Sequence, residues 1–282
     1  MPELPEVETV RRTLAHLVIG ETITMVDVFF AKIIKKPNDV DQFKQALVGQ
    51  TIRALKRKGK FLMIELDDYD LISHLRMEGK YTVEEARMPV DKHTHIIFGF
   101  KSGKTLRYHD VRKFGTMHLF GKGEAADALP LRQVGYDLYL DQIDEDWVFE
   151  KITASTRAIK NILLDQTIVA GLGNIYVDET LFKSKIHPLT KGLTLSKVEV
   201  LRILDMAKLT IDEAVKQGGT SIRSYVDAKG DMGMFQQTLH AYGQTGEPCS
   251  VCEHPIEKMK LSGRGTHFCP VCQKEKNDSV RS

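Results

Sequence analysis

The chain has 282 residues, of which 42% are hydrophobic and 28% are charged, an ordinary balance for a soluble globular protein of one or two domains. Its net charge of +2 excludes a bulk attraction to polyanions, so a nucleic-acid partner would have to be bound by local patches of charge. No apolar run approaches the roughly 18 residues that span a bilayer, and the charged residues near the start are unlike a secretory signal peptide. We therefore expect a cytoplasmic protein.

The N-terminal half of the chain predicts one helix followed by short strands. Apolar residues recur at roughly helical spacing over residues 4–18. Beyond them, β-like segments alternate with turn residues, and the turn at 101–104 is typical of a hairpin. The predicted strands are 22–30, 51–55, 61–66, 70–77, 80–83, 94–100, 105–109 and 116–120. A leading helix with this series of strands favours a β-sandwich or barrel of about 120 residues.

The C-terminal half changes to a helical period. Residues 121–144 are predicted to be a linker, and the segment 218–233, rich in glycine and polar residues, is too long for a simple connection. The predicted helices are 145–151, 158–166, 173–183 and 196–217.

The four cysteines of the chain form two C-x-x-C pairs near its end. Cys249 and Cys252 make up the first pair, and Cys269 and Cys272 the second. This pattern predicts one four-thiolate zinc site, which would be structural because the protein fills every coordination position. The alternative is a pair of disulfides, which would require an oxidising compartment. Arg264 lies near the tip of the hairpin expected between the pairs.

The first residues can be interpreted as part of a catalytic site or as an ordinary helix start. If Met1 is removed, Pro2 carries a free secondary amine, and an α-amino group of pKa about 7.7–8.0 is partly a neutral nucleophile at pH 7. Glu3 and Glu6 lie close enough in sequence to act as a general acid or base. However, proline and glutamate in a first turn are also common helix-start residues.

Several short motifs occur together in this chain, in a fixed order. They are MPELPEVETVRR at 1–12, HLRMEGK at 74–80, DKHTH at 91–95, DVRKFG at 110–115, QTIVAGLGNIYVDE at 166–179, QGGTSIRSY at 217–225 and CSVC…GRGTHFCPVC at 249–272. Together they resemble the bacterial formamidopyrimidine-DNA glycosylase family, which repairs 8-oxoguanine. The likeness runs from residue 2 to residue 272 and so covers nearly the whole chain.

The resemblance implies a fold and a domain order. The fold is an α+β multidomain architecture. We expect an N-terminal β-sandwich catalytic domain with a leading helix at 1–132, and a helical domain with a helix–two-turns–helix motif at 133–243. A zinc ribbon hairpin at 244–282 would complete the chain.

The resemblance also implies a bifunctional glycosylase and AP lyase that removes oxidised purines. Pro2 would attack C1′ of the damaged nucleotide and form a Schiff base, and Glu3 would help to open the sugar. Lys60 would assist β-elimination, while Arg264 would contact phosphate and assist δ-elimination. Cations at these places suit the departing phosphates.

Further residues match positions that the family uses to bind damaged duplex DNA. Met77, Arg112 and Phe114 would fill the space left by the extruded base. His93 and Asn174 would contact DNA, Asn174 at a helix start suited to phosphate. Lesion recognition would involve the loop 218–233. The residues implied for it are Ser221, Ile222, Arg223, Tyr225 and, outside the loop, Glu6 and Glu78.

Two other functions remain open at this point. One is the sister activity on oxidised pyrimidines, as in endonuclease VIII-like enzymes, and the other is a non-catalytic zinc-ribbon protein that binds damaged DNA. The PELPE start and the long loop favour the purine enzyme, and the presence of Pro2, Glu3 and Lys60 argues against a non-catalytic protein. The expected partner is double-stranded DNA with an oxidised purine or abasic site, bound by a monomer with one structural zinc and no catalytic metal.

Overall fold

The chain folds into two compact units. A computed structural model describes residues 1–220 and 234–276. Met1–Gln133 and Gly218–Met234 form the first unit, and Val134–Gln217 with Phe235–Ser282 form the second. The division into three domains that the sequence predicts stays a prediction.

In residues 1–133 the first unit is a β-sandwich with two α-helices. The helices are α1 (Leu4–Val18) and α2 (Val40–Leu47), and the strands of residues 1–133 are β1 (Ile23–Val28), β2 (Ile34–Lys36), β3 (Ala54–Lys58), β4 (Phe61–Glu65), β5 (Tyr69–His74), β6 (Lys80–Glu85), β7 (Thr94–Phe100), β8 (Lys104–His109) and β9 (Thr116–Gly121). One sheet has the antiparallel order β1-β7-β8-β6. The other has the order β2-β9-β5-β4-β3, with β2 and β9 parallel.

The apolar face of α1 belongs to the core of the sandwich. Val7 and Leu14 of α1 are fully buried in the same apolar cluster as Leu62 of β4 and Phe98 of β7. Burial of such side chains contributes roughly 1.5–3 kcal/mol each. The N-terminus of α1 is therefore fixed relative to both sheets.

The second unit is helical and ends in a hairpin. Its α-helices in the described part of the chain are α3 (Glu145–Thr153), α4 (Ile159–Leu164), α5 (Asn174–Ser184) and α6 (Lys197–Lys216). β10 (Tyr136–Asp137) and β11 (Val169–Ala170) pair in parallel, and β12 (Glu257–Leu261) and β13 (Arg264–Phe268) form the antiparallel hairpin. Asp144 caps α3, and Ser196 with Glu199 forms the capping box of α6.

Helix α5 organises the second unit. Tyr176, Val177 and Leu181 are fully buried in it, and so is the charged Glu179. The Glu179 carboxylate accepts hydrogen bonds of 2.8–2.9 Å from the backbone N–H groups of residues 240–242. Phe182, at the next turn, packs into the apolar cluster that contains Cys249 and Cys269. This helix thus supports the cysteine-rich tail.

The predicted α+β architecture is confirmed, with differences in detail. Helix α1 has the predicted bounds, whereas α2 and β2 were not predicted. Residues 54–58 form β3 instead of the predicted 51–55, because Thr51 turns its backbone N–H toward the Asp67 carboxylate at 2.7 Å. The predicted linker 121–144 contains β10, which pairs with β11. In the described residues, no helix is both long and apolar enough to cross a membrane.

Candidate active site

Four cysteine thiols converge beside the β12–β13 hairpin. Their sulfur atoms lie within 4.8 Å of one another, with Cys249 and Cys272 3.9 Å apart and Cys252 and Cys269 3.4 Å apart. These distances exceed an S–S bond of about 2.05 Å, and all four thiols are free. A tetrahedral site with Zn–S bonds of about 2.3 Å places its sulfurs about 3.8 Å apart. The four cysteines fit one structural zinc ion, which they hold with no position left for a reacting water.

Buried charges of the second unit hold the hairpin in place. Lys160 of α4 and Asp178 of α5 are completely buried, and their Nζ and Oδ1 atoms are 2.7 Å apart. The other Asp178 oxygen accepts a hydrogen bond from the backbone N–H of His267 at 2.9 Å. The Lys160 ammonium also donates to the Thr266 hydroxyl at 2.9 Å and to the Gly265 carbonyl at 3.1 Å. The sequence alone did not indicate this ion pair, because its partners lie 18 residues apart on two different helices.

The same hairpin brings two of the predicted residues of the second unit together. Asn174, the first residue of α5, donates its side-chain N–H to the Gly265 carbonyl at 2.9 Å. Arg264 immediately precedes Gly265 and is exposed at the start of β13. The side chain of Asn174, a predicted DNA contact, is therefore held beside the residue that follows the predicted hairpin arginine.

The predicted nucleophile and acid lie at the buried start of α1. Pro2 is buried, and Glu3 and Glu6 are only 3% and 2% exposed. The Glu3 backbone N–H donates to the Glu6 carboxylate at 2.8 Å, and the other Glu6 oxygen accepts from the Thr220 N–H at 2.8 Å. Glu6 thus joins α1 to the residue that precedes the segment 221–233.

A buried arginine joins α1 to the turn that carries Lys60. Arg57 lies at the end of β3, and its guanidinium contacts Glu8 of α1 at 3.1 Å and donates to the Gly59 carbonyl at 2.8 Å. Gly59 adopts a φ of 55°, so the β3–β4 turn suits glycine there, and Lys60 follows, 5% exposed. Burial raises the pKa of Glu8, but hydrogen bonds and charge from Arg11, with contributions from Arg12 and Arg57, lower it overall. The Glu8–Arg57 ion pair thus joins the start of α1, which carries Pro2 and Glu3, to the turn that carries Lys60.

His74, the last residue of β5, is a further buried group near Lys60. It is 7% exposed, and its Nδ1 accepts the backbone N–H of Arg76 at 2.9 Å. Burial, together with the positive charges of Arg76 and Lys60, lowers the pKa of His74 to about 3. The imidazole is therefore neutral at pH 7 and presents no competing charge to Lys60. Its position at the start of HLRMEGK was the only sequence signal for it.

Acid is expected to destabilise the protein through His74. Because the folded pKa is about 3 and the unfolded value is about 6.5, the unfolded state binds more protons between these values, and stability falls as the pH falls through that window. Between pH 7 and pH 4.5 the expected loss is roughly 2–3 kcal/mol. Urea unfolding at both pH values measures it. His74→Asn keeps an acceptor near Nδ1 but does not titrate, so an equal pH dependence in this variant would contradict the assignment.

The three predicted wedge residues are exposed on two turns of the first unit. The exposed fractions of Met77 and Phe114 are 38% and 52%, so neither side chain packs in the core. The guanidinium carbon of Arg112 lies 4.8 Å from the centre of the Phe114 ring, within cation–π range. Exposed apolar side chains next to an arginine are available for a binding partner.

His93 and Glu78 line one cavity of the first unit. Its volume is about 350 Å³, and Asp110 and Val111 also border it. The His93 backbone is held by a hydrogen bond of 2.7 Å to the Asp91 carboxylate. Ser221, Ile222, Arg223 and Tyr225, predicted to recognise the lesion, lie outside the described residues.

Family comparisons cover nearly the whole chain. Residues 1–117 match the formamidopyrimidine-DNA glycosylase N-terminal domain, residues 134–226 its H2TH domain, and residues 246–274 the zinc finger found in FPG and IleRS. Formamidopyrimidine-DNA glycosylase of Halalkalibacterium halodurans is 56% identical over 97% of this chain and 100% of its own length. That of Oceanobacillus iheyensis is 54% identical over 98% and 99%.

Solved structures of similar proteins also match nearly the whole chain. Lactococcus lactis Fpg in complex with abasic-site DNA is 43% identical, covers 97% of this chain and 100% of its own, and superposes with a TM-score of 0.91. MutM in complex with DNA containing carbocyclic 8-oxo-G is 42% identical over the same shares, with a TM-score of 0.90. The sequence, the fold and the cysteine cluster agree with these relatives. The chain belongs to the formamidopyrimidine-DNA glycosylase family.

Proposed function

We propose that this protein is a bifunctional DNA glycosylase and AP lyase of base excision repair. It removes 8-oxoguanine and formamidopyrimidines from duplex DNA and cleaves the strand by β,δ-elimination. The observation that carries the proposal is the buried start of α1, where Pro2 and Glu3 lie on a helix joined through Glu8, Arg57 and Gly59 to the Lys60 turn. A nucleophile, an acid and a cation are the groups that this reaction needs.

The reaction begins once Met1 has been removed. The Pro2 nitrogen attacks C1′, the bond between C1′ and the damaged base breaks, and the base leaves with the proton that the attacking nitrogen releases. Glu3 protonates the ring oxygen as the sugar opens, which leaves an iminium ion that has no N–H to lose. This cation acidifies C2′, so loss of a C2′ proton to water expels the 3′ phosphate. Loss of a C4′ proton from the conjugated iminium, again to water, then expels the 5′ phosphate. Lys60 and Arg264 stabilise the departing phosphates, and hydrolysis of the iminium frees the enzyme.

Extrusion of the damaged nucleotide precedes the chemistry. Met77 and Phe114 replace the lost stacking, and Arg112 hydrogen-bonds the unpaired cytosine. Their exposure supports this role, because a wedge must be accessible to the duplex. His93 and Asn174 contact the backbone, while Glu6, Glu78 and the segment 221–233 recognise the extruded base. The protein acts as a monomer in the bacterial cytoplasm, in association with the nucleoid.

Removal of zinc is expected to weaken DNA binding before it unfolds the β-sandwich. Without the metal the two cysteine pairs separate, and the hairpin that carries Arg264 loses its fixed position. We expect the affinity for a duplex with a non-cleavable abasic analogue to fall roughly tenfold or more, measured by fluorescence anisotropy. Amide hydrogen exchange in β7 and β8 should be unchanged. Added zinc should restore the affinity. Unaltered affinity in metal-free protein would show that the hairpin takes no part in DNA binding.

The substrate class is tested by comparing two lesions in one assay. We expect single-turnover release of 8-oxoguanine to exceed release of thymine glycol from otherwise identical duplexes. Faster release of thymine glycol would assign the protein to the oxidised-pyrimidine class instead. Binding to both duplexes without release of either base would indicate a non-catalytic protein.

A further inference from the structure

A buried tyrosine hydroxyl lies between the two turns that carry the wedge residues. Tyr108 of β8 is completely buried, and its ring packs edge-on against Tyr81 with centroids 5.2 Å apart. Its hydroxyl donates to the Asp110 carboxylate at 3.4 Å. Burial, reinforced by the negative charge of Asp110, raises the pKa of Tyr108, so the hydroxyl remains a donor at any physiological pH.

Asp110 holds the shape of the turn that carries Arg112 and Phe114. Its carboxylate is completely buried and accepts the backbone N–H groups of Arg112 at 3.0 Å and Gly115 at 2.8 Å. Its own carbonyl accepts from the His95 ring at 2.8 Å. Lys113, between the two wedge residues, has a φ of 59°, a left-handed conformation that a non-glycine residue adopts at a cost. The carboxylate therefore stabilises a backbone path that this sequence would otherwise disfavour.

Both wedge turns approach the Tyr108 hydroxyl closely. A Cβ atom added at Gly115 would lie 1.6 Å from this oxygen, and one added at Gly79 would lie 2.4 Å from it. Gly79 closes the turn of Met77 by donating its N–H to the Leu75 carbonyl at 2.9 Å. The hydroxyl is thus a shared contact of the turn 75–79 and the turn 110–115.

The two turns also border one cavity. Glu78 comes from the first turn, and Asp110 and Val111 come from the second. The spacing of the turns therefore sets the separation of Met77 from Arg112 and Phe114. A wedge that enters a duplex requires such a fixed separation, because side chains on independent turns would lose conformational entropy on insertion.

We propose that Tyr108 and Asp110 are positioning residues that hold the two wedge turns at a fixed spacing and thereby control base extrusion. The proposal rests on the proposed function and adds to it a separation of roles. Tyr108 and Asp110 act on the step that opens the duplex, whereas Pro2, Glu3 and Lys60 act on the sugar. Both side chains are completely buried, so they act on the wedge turns and present no exposed surface to DNA.

Tyr108→Phe and Asp110→Asn test this role. Phenylalanine removes only the hydroxyl, and asparagine keeps the size of the carboxyl but replaces one acceptor oxygen with a donor. We expect both variants to slow single-turnover release of 8-oxoguanine from a duplex roughly tenfold, as loss of a hydrogen bond to a charged group suggests. The fluorescence rise of 2-aminopurine next to the lesion, which reports unstacking, should slow equally. Cleavage of a single-stranded abasic oligonucleotide should change less than twofold, because no base has to be extruded.

Tyr81→Phe is the matched control. It removes a neighbouring buried hydroxyl that donates to Ser73 at 2.7 Å, and it should leave the 2-aminopurine rate unchanged. If Tyr108→Phe matches Tyr81→Phe in every rate, or if abasic cleavage falls as much as base release, the positioning role is wrong. If wild-type protein cleaves neither substrate, the proposed function fails instead, and the two outcomes cannot be confused. Thermal unfolding of each variant confirms that the compared proteins are folded.

Discussion

Protein that retains Met1 is expected to leave both an 8-oxoguanine duplex and an abasic duplex uncleaved. In the Met1–Pro2 peptide the proline nitrogen is part of an amide, and its lone pair is delocalised into the carbonyl. It therefore cannot attack C1′. Loss of a catalytic nucleophile typically lowers kcat by about six orders of magnitude. Gel analysis of strand cleavage, on protein whose N-terminus has been defined by mass spectrometry, measures the effect.

The structure indicates that retained Met1 would block the reaction of the Pro2 nitrogen without disturbing the fold. Met1 is 44% exposed and precedes a buried Pro2, so its presence is compatible with the fold of α1. An N-terminally extended protein should bind a non-cleavable abasic duplex normally, and a C-terminally extended protein should cleave at the wild-type rate. Pro2→Gly keeps a primary amine and should react, but more slowly. Full activity with Met1 in place would exclude Pro2 as the nucleophile.

Asp178→Leu is expected to lower the free energy of unfolding of the zinc-loaded protein by about 3–5 kcal/mol. The change leaves the Lys160 ammonium buried without its counter-charge and removes the acceptor for the His267 N–H. Such a loss is a large share of a typical total stability of about 5–15 kcal/mol. Urea unfolding followed by fluorescence of Trp147, the single tryptophan, reports the second unit in which the pair lies. Affinity for abasic DNA should fall with it, since the same contacts hold the hairpin of Arg264.

A surface pair of the same unit is the control. Lys183 and Glu213 also form an ion pair, but the Glu213 side chain is 42% exposed. Glu213→Gln should therefore change the stability by at most about 1 kcal/mol. Lys160→Met combined with Asp178→Leu should recover part of the loss, because an apolar pair leaves no buried charge. Equal effects of Asp178→Leu and Glu213→Gln would contradict the structural role of the buried pair.

The sequence predicted the elements that are stabilised by residues close together in the chain. Helix α1 has the predicted bounds because its apolar positions, its N-cap residue Glu3 and its first-turn residue Glu6 are neighbours in sequence. The zinc site follows from cysteine spacing alone. Helix α2 was missed because its eight residues bury only Phe43 and Leu47, too few to establish a period. Strand β3 was displaced because its lysines and arginine are poor strand signals.

Contacts between distant residues could not be predicted in this way. Arg57 has a lysine on each side in the sequence, yet it is buried against Glu8, which lies 49 residues earlier. The partners of Lys160 at the hairpin lie 105 and 106 residues away. Motif resemblance implied roles for individual residues, including Arg112 and Phe114, and those roles stay predictions. Only the fold shows that the Asp110 carboxylate and the Tyr108 hydroxyl arrange the turns that carry them.

The central claim is that a secondary amine at Pro2 forms a covalent intermediate with damaged DNA. Borohydride added during reaction with an 8-oxoguanine duplex reduces an iminium to a stable amine, and digestion followed by mass spectrometry locates the bond. We predict one protein–DNA adduct, attached to the N-terminal peptide through Pro2. An adduct attached through Lys60, or no adduct from protein confirmed to lack Met1, would contradict the account.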